Sequence, residues 1–133
     1  MVERMKMIKS KCVLATMGFF VFAFANNAEA LELSDLKKGI YLPKDVGCGG
    51  IGSAAQMYYD GSNISGHYQI CKTIKIGSNK YKSTCLEAQG RDQPSLDDIE
   101  KSPDKEIFDL NINVKNNKSF MIDKIIYNYC GDG

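Results

Sequence analysis

The chain has 133 residues, a quarter of them charged, with one histidine, no tryptophan and a formal net charge of +1. That length suits one domain and not two. Seventeen basic residues stand against sixteen acidic ones, so the electrostatic footprint of a nucleic-acid binder is missing.

The first elements describe an export address. Arg4, Lys6, Lys9 and Lys11 make a basic start, Cys12 to Ala25 is an apolar run, and Ala28-Glu29-Ala30 closes on the small-residue pattern a signal peptidase accepts. A membrane-spanning helix needs about 20 apolar residues, more than this run supplies. A lipoprotein cysteine would stand at the end of the run, whereas Cys12 stands at its front. The expectation is a cleaved signal peptide over residues 1–30 and a single exported β-domain over 31–133, periplasmic in a bacterium or secreted, with no membrane attachment after cleavage. Thirteen basic and fourteen acidic residues then remain, a net charge of −1.

Strand signals dominate the remainder of the chain. Leu33 to Lys38 reads as one helical turn, and Gly39-Ile40-Tyr41-Leu42 as a strand stopped by Pro43. Gly47 to Gly52 is a glycine-rich bend that frees Cys48 to reach a partner. It lacks the Lys-Ser/Thr end of a phosphate loop. Ala54 to Tyr59 runs into the turn dipeptide Asp60-Gly61. His67 to Ile76 and Lys80 to Cys85 come next as strands around Gly77-Ser78-Asn79, with Ile74 and Ile76 alternating with Thr73 and Lys75. Leu86 to Glu106, with Pro94 and Pro103, reads as a long surface loop holding a short helical turn over Ser95–Lys101, capped by Ser95 or Asp92. In Ile107 to Val114 the residues Phe108, Leu110, Ile112 and Val114 share one face. Lys115 to Lys118 is a hairpin turn, and Ser119 to Cys130 returns as the last strand. The layout predicts an all-β fold, a small antiparallel β-barrel or sandwich of about six to eight strands.

Such a domain buries only about two-thirds of its unfolded surface, so covalent staples matter. Cys48, Cys71, Cys85 and Cys130 remain after cleavage. An even number in a small exported domain reads as two disulfides, and no two stand close enough for a C-x-x-C metal pair. Of the three connectivities, Cys48–Cys71 with Cys85–Cys130 is preferred, since each would join neighbouring strands in this layout.

Catalysis is poorly supplied. His67 has Asp60 upstream, but no Gly-x-Ser-x-Gly elbow accompanies it, and paired cysteines are not nucleophiles. Asp97 and Asp98 read as a solvated face. The expectation is a protein that is not an enzyme and carries neither metal nor cofactor. Binding is better supplied. Tyr58 to Tyr68, YYDGSNISGHY, gathers three tyrosines, hydroxyls and two glycines around one turn, traits that recur in protein-binding loops. From Arg91 to Asp109 seven acidic residues face three basic ones, a face that would steer a basic partner.

The Tyr-Asp-Gly turn, the segment SNISGHY over Ser62 to Tyr68 and the spaced cysteines resemble the periplasmic and membrane-bound inhibitors of c-type lysozyme. The resemblance covers about Asp60 to Cys85, with His67 where an arginine is common in that family. It implies a small antiparallel barrel that pushes a loop into the lysozyme cleft, a serine hydroxyl meeting the catalytic acid and a lysine meeting the catalytic aspartate. Ser62 and Ser65 both match the serine, with His67 and Tyr68 beside them. The lysine is open among Lys72, Lys75 and Lys80, and Lys80 is preferred because loops reach further than strand middles. The partner would be c-type lysozyme or another basic protein, met as a monomer or homodimer. The alternative is an exported envelope β-domain with a protein-interaction role and no catalytic activity.

Overall fold

A computed structural model describes residues 29–88 and 94–133. The expected signal peptide therefore falls almost wholly outside the described residues. Eight antiparallel strands run in chain order: β1 (Gly39–Pro43), β2 (Met57–Tyr59), β3 (Ile64–Gly66), β4 (Gln69–Gly77), β5 (Lys80–Glu87), β6 (Glu106–Asn116), β7 (Ser119–Ile122) and β8 (Ile125–Gly131). A 3-10 turn at Leu33–Asp35 precedes them, a second spans Cys48–Gly50, and one short helix, α1 (Leu96–Ile99), sits between β5 and β6. Ser95 caps α1, its hydroxyl accepting from the Asp98 amide.

The strands lie in the order β3-β2-β1-β8-β7-β6-β5-β4 and form a nearly closed antiparallel barrel. The eleven-residue β6 turns the corner. Its first half pairs with β5 and its second with β7. The stretch Ser119 to Cys130 is not one strand but two, β7 and β8, folded back at Asp123, whose φ of 55° reverses the chain. Likewise Ile64–Gly66, expected within a turn, is a strand paired with β2.

Closure between β3 and β4 uses side chains where a backbone ladder would otherwise run. The Ile64 amide donates to Thr73 Oγ1 at 3.1 Å, the Thr73 amide to Asn63 Oδ1 at 2.9 Å, and the Cys71 amide to Ser65 Oγ at 3.1 Å. Two strand edges that would each expose unpaired amides are satisfied in this way.

The interior is aromatic. Tyr41, Tyr59, Tyr81 and Phe120 pack with Ile64, Ile112, Val114 and Ile122. Phe120 stacks on Tyr127 with ring centroids 5.1 Å apart and leans on Tyr41 at the same separation. Leu33 and Leu36 plug one end, and the Leu33 amide donates to the Tyr81 hydroxyl. Outside, Ile99 of α1 is fully buried against β4 and β5, and Lys72 reaches Glu100 at 3.2 Å.

All four cysteines among the described residues are in disulfides, but the connectivity differs from the expected Cys48–Cys71 and Cys85–Cys130. The bridges are Cys48–Cys130 and Cys71–Cys85. The reason is strand register. Cys71 and Cys85 lie directly opposite each other on β4 and β5, while Cys48 comes after β1, whose ladder partner β8 carries Cys130. Two disulfides place the folded chain in an oxidising compartment outside the reducing cytosol. Among the described residues no helix is long and apolar enough to cross a membrane.

Candidate functional site

Asp60 organises the turn between β2 and β3. Its Oδ1 accepts from the Ser62 and Asn63 amides at 2.8 and 2.7 Å, its Oδ2 accepts from Asn63 Nδ2, and its own amide donates to the Asn63 carbonyl. Gly61 takes a φ of 105°, a conformation that favours glycine. The result is a clamped turn with Ser62 exposed at its tip. Burial alone would raise the Asp60 pKa. The Asn63 and Ser62 amides, the Asn63 side chain and the nearby Lys38 outweigh it and hold the carboxyl below the usual aspartate range. A group depressed on folding stabilises at pH above its unfolded pKa and loses that contribution as pH falls through the folded one. The Ser62 and Asn63 amide resonances should therefore stay unchanged from neutrality down to the ordinary aspartate range and shift only below it. A midpoint above that range would contradict the clamp.

The five residues singled out by sequence do not share one place. Ser62 stands at the turn tip. Ser65 is half-buried in the β3–β4 seam, its hydroxyl accepting from the Cys71 amide. His67 and Tyr68 link β3 to β4 at the opposite end of β3. Their rings lie 3.8 Å apart, and Tyr68, at φ 62°, is 56% exposed. Lys80 sits at the foot of the β4–β5 hairpin, paired with Gly77. Cys71, beside Ser65, lies six positions along β4 from Gly77 at that foot, a span of about 20 Å at strand rise. Ser65 and Lys80 do not form one contact.

Lys75 does what Lys80 does not. Together with Ser62 it lines a depression of about 250 Å³ that also takes in Glu32, Ser34, Tyr59 and Tyr81. Lys75 is ion-paired with Glu32, and this hydrogen bond raises its pKa above the ordinary lysine value, so it stays charged. Parity explains the placement. Cys71 points inward to meet Cys85, so Thr73 and Lys75 share its face, while Ile74 and Ile76 point out and are exposed. Sequence reasoning named Ser62 and weighed Lys75. Tyr59 fell within its Tyr58–Tyr68 binding segment, but it missed Glu32, Ser34 and Tyr81, which distant segments bring together.

At the other rim, near Tyr68, Gln69 lines a second depression of about 540 Å³ with Glu87, Asp104 and Glu106. Part of the acidic stretch noted in the sequence thus gathers at the end of β4 that follows the exposed Tyr68. Among the described residues no group of three or more His, Cys, Asp or Glu side chains is placed to hold a metal ion. The fold and its rims define a small disulfide-bonded antiparallel barrel with two polar faces. Comparison with family models, curated proteins and solved structures found no match to this chain.

Proposed function

We propose that the protein is an exported, periplasmic binding protein that inhibits c-type lysozyme, using the Asp60-clamped turn as its inserted loop. One observation carries the reading: the exposed Ser62 and the charged Lys75 line the same depression. A hydroxyl can donate to or accept from a carboxylic acid, and an ammonium can neutralise an ionised carboxylate beside it. A cleft that works with two carboxyl groups offers both. The turn is already ordered by four hydrogen bonds around Asp60, so little freedom is lost when it docks. Lys75 replaces Lys80 as the cation in this reading, and Ser62 takes precedence over Ser65.

A second reading is favoured by the acidic depression next to Tyr68. A depression lined by Glu87, Asp104 and Glu106, with the exposed Tyr68 one residue before its Gln69 wall, suits a basic protein partner of another kind.

Cell-wall lysis by c-type lysozyme separates the two. Oxidised protein at near-equimolar ratio should slow lysis. Ser62→Ala and Lys75→Ala should each weaken that inhibition by about tenfold, the loss of one desolvated hydrogen bond. Unimpaired lysis at equimolar protein would reject the inhibitor reading and leave the acidic rim as the binding face.

A further inference from the structure

Tyr59 is only 1% exposed, and its hydroxyl finds no hydrogen-bond partner among the described residues. A buried hydroxyl without a partner costs about 1–3 kcal/mol, so each such group calls for a reason. Phenylalanine would fill the same space without that cost. Tyr59 helps line the 250 Å³ depression between the Leu33–Asp35 turn, the Asp60 turn and β4. We propose that this depression binds a neutral polyhydroxylated ligand of about one sugar ring, with the Tyr59 hydroxyl as its buried contact.

The lining decides the chemistry. Glu32 and Lys75 are already paired, so a small free ion, which brings no wider interface of its own, gains little from either. A polyol need not break the pair. The carboxylate keeps free lone pairs and the ammonium keeps free protons, and a sugar hydroxyl can use either. The Tyr81 hydroxyl accepts from the Leu33 amide and still has its own proton to give. Ser34 and Ser62 add two more hydroxyls at the mouth. An anion is disfavoured at the floor. Tyr59 has its pKa raised by burial first, and then by the negative charge of Asp60, by Tyr81 and by the charge of Asp35. A cation would meet the Lys75 ammonium on the way in. This inference needs no partner protein and does not rest on the inhibitor reading.

Amide-resolved NMR of the oxidised protein tests it with the methyl glycosides of glucose, galactose, mannose and N-acetylglucosamine. At least one should give saturable shifts at the Ser34, Gly61, Ser62 and Lys75 amides, with Kd on the order of 1 mM, as a few hydrogen bonds allow. Tyr59→Phe should raise that Kd about tenfold and leave the thermal midpoint unchanged or higher, since only an unpartnered hydroxyl is removed. Several results would overturn the proposal: no saturable shift with any glycoside, tighter binding of acetate or phosphate at the same amides, or wild-type affinity in Tyr59→Phe. A lowered midpoint in Tyr59→Phe would overturn it as well, because the hydroxyl would then have an internal partner.

Discussion

Removing the Cys48–Cys130 bridge, as Cys48→Ala with Cys130→Ala, is expected to destabilise the protein by about 4.5 kcal/mol. This bridge spans 82 residues of chain, against 14 for Cys71–Cys85. The entropy a cross-link removes from the unfolded chain grows with the logarithm of the loop, giving about 4.5 kcal/mol for the long bridge and about 3 kcal/mol for the short one. Cys48 is exposed, so its truncation opens no cavity and the chain-entropy effect is seen nearly alone. Domains of this kind are held by about 5–15 kcal/mol in all. The variant should therefore unfold at much lower urea than the wild type, with a substantial unfolded fraction at body temperature. A loss under about 1 kcal/mol would mean that the ladder between β1 and β8 holds the two ends without covalent help.

Phe120→Ala should cost about 3–5 kcal/mol. Phe120 has no exposed surface, stacks on Tyr127 and leans on Tyr41. Its loss removes the transfer free energy of a whole ring and leaves a void among tyrosines. These cannot collapse into it easily, since the Tyr41 hydroxyl is tethered to the Lys37 carbonyl at 2.6 Å. Phe108→Ala is the contrast. Phe108 lies on the neighbouring β6, six residues before Val114, which pairs with Phe120, but it is 38% exposed, so its truncation should cost clearly less. Equilibrium urea unfolding of both variants measures the difference. Equal losses would place the core elsewhere than at the Tyr41–Phe120–Tyr127 cluster.

The strand content was legible because its signals are local. Alternation in Ile107 to Val114, the Asp60-Gly61 turn and the Ser95 cap each sit within a few residues, and each became β6, the β2–β3 turn and α1. Disulfide pairing was less legible. The β4–β5 turn aligns Gly77 with Lys80, and a regular continuation would set Cys71 against Leu86. A bulge between Lys75 and Gly77 shifts the register by one and brings Cys71 opposite Cys85. Nothing in the residue types announces that shift. Ser65 shows the same limit. A hydroxyl in a glycine-containing segment reads as a contact group, yet here it seals a barrel seam that exists only once β3 meets β4. The clustering of Glu32, Tyr59, Lys75 and Tyr81 depends on long-range closure, which no short window contains.

The proposed inhibition needs one face, the Asp60-clamped turn with Lys75, to enter the cleft of a basic partner. Calorimetric titration of the oxidised protein into c-type lysozyme tests it most directly. One-to-one binding is expected, weakening as salt is raised and lost in the Ser62→Ala/Lys75→Ala double variant. Absence of binding by the wild type, or undiminished binding by the double variant, would contradict it.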